Sequence, residues 1–248
     1  MRRESGQALV ESALTMPLLI FMILGTLQLF MMLQARIMTQ YAAYKAVRAG
    51  SLNSGDCGPM VQAAVANLLP TLARTDNEAF LVTAYQQHAG NKYTPGVDGN
   101  HSGPIVEIVR ESPTFAQIGA GAEDYDFDVP AVGKSPLTLE IRMLYWYRMR
   151  IPFANWVLTR IFLARAQLEA GPIANPYMLT GNTTSWSTGP ADPLFNDSTY
   201  PGGNLGPRVR TWSNNGQYMF PIRVSSVMRM MTPPAGKFFL SAGCPVPP

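Results

Sequence analysis

Apolar positions are spread unevenly along the chain, in a long run near the N-terminus and then in shorter periodic stretches. From Ala13 to Leu33 the run is interrupted by the polar residues Thr15, Thr26 and Gln28. About twenty residues at 1.5 Å each cover roughly 30 Å, the thickness of a bilayer hydrocarbon core. A secretory signal has an apolar region of roughly 7–15 residues followed by a small-x-small cleavage site. This run is longer, and Gln34-Ala35-Arg36-Ile37-Met38 after it offers no such site, so it reads as a retained anchor. From Gln34 to Ala49 helix formers continue without Pro or Gly, and Leu33, Ile37, Tyr41 and Tyr44 keep to one helical face. With Gly50 as the C-terminal stop, the helix is expected from about Gln7 to Ala49, roughly 65 Å long, half in lipid and half packed on a soluble domain. Pro17 cannot donate to the Ala13 carbonyl, so a kink or softened turn is expected between them.

Two short helices are predicted next. Asp56 or Gly58 can cap the first, with Pro59 in its opening turn and Met60, Val61, Ala64, Val65, Leu68 and Leu69 on one face until Pro70 ends it. Thr75-Asp76-Asn77-Glu78 reads as a capping box for the second, whose stripe is Phe80, Leu81, Ala84, Tyr85 and His88 before Gly90. Beyond the Asn, Gly and Pro residues of 91–104 the period changes to two. Ile105–Val109, the alternating stretch from Leu137 to Arg148, and Phe220-Pro221-Ile222-Arg223-Val224 read as strands of an antiparallel sheet. Pro152–Leu163, with Phe153, Trp156, Val157, Arg160 and Ile161, adds another helix. The fold class is α+β: a long N-terminal helix against a head with a small antiparallel sheet that helices cover on one face.

Composition narrows the function. A chain that is 47% hydrophobic and 14% charged suits a low-charge globular head carrying a membrane segment. The roughly 200 residues after the helix suffice for one core. A net charge of +3 without a basic run gives no support for nucleic-acid binding. Residues 171–216 show neither period and are rich in Gly, Pro, Asn, Ser and Thr, which predicts a long loop, with Trp186, Tyr200 and Trp212 available to pin it. That loop is either a variable insertion or a partner-binding element. Asn182-Thr183-Thr184 and Asn196-Asp197-Ser198 match the glycosylation tripeptide, a pattern that recurs by chance.

Glu11 is the residue in the N-terminal helix that needs a reason, because a carboxylate at the start of an apolar helix is costly unless hydrated, neutralised or paired. It either reaches back to water or serves a partner. Gly6-Gln7-Ala8-Leu9-Val10-Glu11-Ser12-Ala13-Leu14-Thr15-Met16-Pro17-Leu18-Leu19, then Leu24-Gly25 and Ala42-Ala43-Tyr44-Lys45-Ala46-Val47-Arg48-Ala49-Gly50, resembles the TadE-like proteins of the tight-adherence pilus systems. The resemblance covers about the first fifty residues. It implies a leader at 1–6, cleavage by a prepilin peptidase between Gly6 and Gln7, and a membrane-spanning segment at 7–50 in which Glu11 and Pro17 serve assembly. It also implies an extracytoplasmic head at 51–248, a single pass through the bacterial inner membrane, and other pilins and pilus assembly proteins as partners beside the lipid bilayer. Basic residues do not set that orientation, since Arg2 and Arg3 precede the run and Arg36, Lys45 and Arg48 follow it.

With the head outside the cytoplasm, oxidation is permitted, and Cys57 and Cys244 are either one bridge or two buried thiols. A bridge would tie the C-terminal tail to the base of the helix and constrain the unfolded chain by roughly 4–5 kcal/mol. No nucleophile elbow, zinc helix motif, phosphate loop or zinc-spaced cysteine pair occurs, so neither enzyme activity nor a cofactor is expected. Asp124, Asp126 and Asp128 open like a calcium loop, but Val129 and Ser135 stand where its glycine and bidentate Glu belong, which favours a solvated acidic loop. His88 and His101 read as packing residues, and Met228, Met230 and Met231 beside Arg229 as core and contact residues. The expected function is a minor pilin or pseudopilin that primes or assembles a filament for adhesion or secretion. The alternative is a membrane-anchored extracytoplasmic binding protein.

Overall fold

The computed structural model describes residues 4–118, 138–170 and 199–245, so the acidic stretch 124–128, Trp186, both glycosylation tripeptides and loop residues 171–198 lie outside the described residues. Helix α1, Glu4–Leu52, runs without a break through Pro17. Its portion from Val10 is long and apolar enough to cross a membrane, with a mean hydropathy of 2.2 over its most apolar stretch. Gly50 does not stop it. A Cβ there would meet Met60 Cγ and Leu139 Cδ2 at 2.8 Å, so this glycine serves close packing inside the helix. The turn falls at Ser54 and Gly55, both at positive φ, and the Gly55 N–H closes it on the Gly50 carbonyl at 2.9 Å.

The face of α1 that meets the head also differs from the expected one. Leu33, Ile37, Tyr41 and Tyr44 do share a face, but it points outward and stays about half exposed. Buried instead are Gln28, Ala35, Thr39, Ala42, Ala43, Ala46, Val47 and Ser51, which fall on one face of the helix. Small side chains let neighbouring elements approach the helix backbone closely, whereas the large apolar residues would hold them away.

Helix α2, Cys57–Leu72, packs along this face with Met60, Val61, Ala64, Val65, Leu68, Leu69 and Leu72 buried. Asp56 caps it by accepting from the Gly58 N–H at 3.0 Å. Pro70 lies in the last turn and the helix passes it by two residues. Helix α3, Glu78–His88, is capped by Asn77, which accepts from the Phe80 N–H at 2.9 Å. Ala84 and His88 are its buried residues; Phe80, Leu81 and Tyr85 remain partly in solvent, so the expected stripe is only partly covered.

The short strands β1, Lys92–Tyr93, and β2, Gly103–Pro104, form a small antiparallel pair. Strands β3, Val106–Ser112, β4, Thr138–Arg148, and β5, Met219–Arg229, form the main antiparallel sheet in the order β3-β4-β5. A four-residue helix, α4, Phe115–Ile118, follows β3. The central strand alternates in burial at its start but is buried at every position from Met143 to Tyr147, because both sheet faces are covered there. On one side lie α1 and α2: Leu139 approaches Gly50 and Tyr145 Oη lies 2.8 Å from Thr71 Oγ1. On the other, Trp146 meets Trp212 edge to face at 4.6 Å.

Helix α5, Ala154–Ala170, follows β4, and helix α6, Leu205–Asn214, precedes β5. Helix α6 lies where the composition predicts loop. Leu205, Val209 and Ser213 are buried at steps of four, and Pro207 sits in the first turn, where its missing N–H has no intrahelical partner to lose. A Gly/Asn/Pro-rich stretch hides so short a period.

The small-residue face of α1 generates a stability test. Ala43→Leu should destabilise the head by about 1–3 kcal/mol through overpacking, while Tyr41→Ser on the outward face should change it by under about 0.5 kcal/mol. Chemical denaturation in detergent, followed by near-ultraviolet circular dichroism, compares the two.

Candidate functional site

The N-terminal turns of α1 carry the residues singled out by the sequence. Gly6, Gln7, Glu11 and Pro17 lie on one helix, with Glu11 one turn beyond Gln7. Glu11 is exposed, and among the described residues no ion pair includes it. Its carbonyl accepts from Thr15 Oγ1 at 2.9 Å. Pro17 is exposed on the same helix. Further along, the Phe21 ring meets Phe153 of the head edge to face at 5.5 Å. Two turns further, Gln28 is fully buried and its Oε1 accepts from the Ile151 N–H at 3.0 Å.

At the far end of α1 the cysteines are joined. Cys57 and Cys244 form a disulfide with a Cα–Cα distance of 5.4 Å. The tail is held beyond the bridge itself: the Cys244 N–H donates to the Ile108 carbonyl and the Arg110 N–H to the Ala242 carbonyl, both at 2.8 Å. Arg110 donates to the Gly55 carbonyl at 2.8 Å and the Ser241 carbonyl at 2.6 Å, and its guanidinium lies 4.7 Å from the centre of the Phe239 ring. Burial pushes this arginine down to about 10. The end of α1, the start of α2, β3 and the tail are thereby joined at one point.

Two buried polar clusters escaped the sequence reading. Glu107, wholly buried, accepts from Arg208 Nη2 at 2.5 Å, Trp146 Nε1 at 2.8 Å and the Gly202 N–H at 3.2 Å. The Arg208 guanidinium lies 4.7 Å from the Trp146 ring centre and 5.2 Å from that of Trp212. Tyr200 and Trp212 thus belong to a segment anchored on the sheet, as their aromatic character suggested, with Arg208 as the unforeseen anchor. The second cluster contains His88. Its Nδ1 lies 2.8 Å from the Ala84 carbonyl and its Nε2 3.2 Å from Asp98 Oδ2, while Arg148 Nη1 donates to Asp98 Oδ1 at 3.3 Å. His88 is therefore a buried structural residue, and His101, bonded to the Asp98 carbonyl at 2.9 Å, belongs to the same cluster. Alternation and periodicity locate Glu107 and Arg148 on strands but do not reveal partners 101 and 50 residues away. Met230 is buried, Met228 packs against the core and Met231 is exposed.

This geometry defines a membrane-anchorable α+β protein whose distinctive residues sit on its N-terminal helix. Residues 6–48 match the family model described as TadE-like protein. The matched segment holds Gly6, Gln7, Glu11, Pro17 and nearly all of the helix, and the rest of the chain lies outside it. No curated protein and no solved structure matches the chain.

Glu107→Gln should destabilise the head by about 3 kcal/mol, because it leaves Arg208 without its charge between two indoles. Replacing both, Glu107→Leu with Arg208→Met, should recover much of the loss. Denaturant midpoints decide it; a loss below about 1 kcal/mol would place the pair among surface ion pairs.

The buried tyrosines produce a pH dependence. Burial pushes Tyr145 up from 10.0 to about 12, and Tyr93, whose hydroxyl donates to the Trp146 carbonyl at 2.5 Å, is raised too. Between those values the folded chain holds protons that the unfolded chain has lost. Their contribution is therefore complete below about pH 10 and fades as the pH rises toward 12. Arg110, lowered to about 10, acts in the opposite sense. Tyr145→Phe should make the loss of stability above about pH 10 shallower, measured by denaturation across that range.

Proposed function

We propose that this chain is a TadE-like minor pilin or pseudopilin, cut between Gly6 and Gln7 by a prepilin peptidase and acting in assembly or priming of a tight-adherence type IV pilus. The observation that carries the reading is one unbroken helix on which Gly6 and Glu11 precede an apolar span that contains Pro17, within the TadE-like match. The outward stripe supports it. Leu33, Ile37, Tyr41 and Tyr44 extend about 17 Å along the helix beyond the span, and the head covers none of them fully. A continuous exposed apolar strip outside lipid calls for a protein partner; other pilins and pilus assembly proteins, with helices of similar character, fit it.

Cleavage after Gly6 places a new amine on Gln7, one turn from the Glu11 carboxylate. Neighbouring helices displaced along their axes then pair amine with carboxylate, a charge-assisted contact that strengthens as water leaves. The head lies on the extracytoplasmic side of the inner membrane in this reading, where the Cys57–Cys244 bridge is chemically at home. The chain works through helix packing, with no catalytic step of its own.

The test is the N-terminal mass of membrane-extracted protein with and without the peptidase, alongside Gly6→Leu and Glu11→Ala. Wild type should begin at Gln7 and Gly6→Leu should remain uncut. Glu11→Ala should be cut and present at normal levels yet lose surface filaments or co-purifying pilus components. A mature protein still beginning at Met1, or full piliation by Glu11→Ala in cells that require this protein, contradicts the reading.

A further inference from the structure

The corner between β4 and α5 reaches down the apolar run of α1. Phe153 packs on Phe21, Ile151 bonds Gln28, and Arg150 stands beside Met31 and Gln34. Phe162, about two turns up α5, meets Phe220, which stands beside Met32 and Leu33. Helix α5 therefore climbs from the level of Phe21 to the level of Leu33. A slab of about 30 Å placed anywhere between Val10 and Leu33 puts Phe21 at least about 13 Å below its outer edge. If α1 spans the membrane, the corner lies within the slab.

We infer that the β4–α5 corner is a lipid-facing element, with Phe153, Trp156 and Ile161 of the head inserted into the outer leaflet beside α1. Three further observations carry this. The outward face of the corner and of α5 is apolar: Phe153 and Trp156 at the deep end are 56% and 45% exposed, and Ile161 near the outer edge is 61% exposed, with Arg160 the charged residue among them. Arg160 stands one turn above Trp156, from which a long side chain reaches the headgroups. Much of the corner's backbone is satisfied within the chain, as lipid demands: the N–H groups of Ile151, Ala154, Asn155, Trp156 and Val157 have acceptors and Pro152 has none to satisfy, while the Phe153 N–H is without one among the described residues. Finally, Arg36 of α1 and Arg223 stand near Met32, above the corner and at the level where phosphates would lie.

Phe153 itself is held at φ 69°, a left-handed conformation that a bulky side chain disfavours. The conformation coincides with its contact on Phe21, so the strain is retained at the junction of the two lipid-facing elements.

The inference rests on α1 spanning the membrane, and the experiment separates the two. Full-length protein is reconstituted into phosphatidylcholine–phosphatidylglycerol vesicles whose phosphatidylcholine is brominated along its acyl chains, and flotation first establishes whether the protein is membrane-bound. The emission of Trp156 is taken as the difference between wild type and Trp156→Phe. It should fall about twofold or more in brominated vesicles and resist acrylamide in the water, as for an indole in the interfacial belt. Moving the indole, Trp156→Phe with Ile161→Trp, should give the same pattern. Quenching by acrylamide and not by bromine would overturn the proposal in favour of a solvated face. Protection from both would overturn it in favour of a face covered by protein. Failure to float would remove the spanning reading and the proposal with it.

Discussion

The close approach of the head to one face of α1 governs the arrangement of everything else. Ala35, Ala42, Ala43, Ala46 and Gly50 leave a shallow track along the helix, and α2, β4 and β5 settle into it. Burial of the small side chains themselves contributes little area. What they permit is contact between the helix backbone and large residues of the head such as Met60 and Leu139. That contact fixes the rotation of α1, and the rotation decides which residues remain outside. The large apolar side chains of the same helix are thus left exposed.

A second constraint is the height at which the head sits. Gln28 would be an isolated amide in the apolar run, but the Ile151 N–H and the surrounding head take it out of lipid. A polar residue within the apolar run is therefore part of the docking. At the other end, the disulfide and the Arg110 contacts hold the tail against the exit of α1, so both ends of the docked half-helix are fixed.

Much of this was legible in the sequence where periodicity is long and unambiguous. The span, the α2 stripe, the alternation of β4 and the even pair of cysteines each left a pattern that local rules read directly. The α+β class follows from them. Which face of α1 docks did not follow, because hydrophobicity marks a residue as able to leave water without saying whether lipid, a partner or the head receives it. Leu33, Ile37, Tyr41 and Tyr44 have the right spacing and the wrong bulk for a close contact. Gly50 and Pro70 read as helix ends because their local preferences are strong, yet tertiary packing retains Gly50 and the last turn tolerates Pro70. The Glu107–Arg208 pair was illegible since charges distant in sequence show no period.

The central claim is that α1 has two separate jobs on two faces, holding its own head by the small residues and offering the large ones to other helices. It is tested most directly by placing a photoreactive side chain at Tyr41, on the exposed face, and irradiating cells that assemble the pilus. The expected result is a higher-mass adduct joining this chain to another pilus component, with the head still folded and its disulfide intact. An adduct formed solely within the chain, or none in piliated cells, would contradict the two-face arrangement.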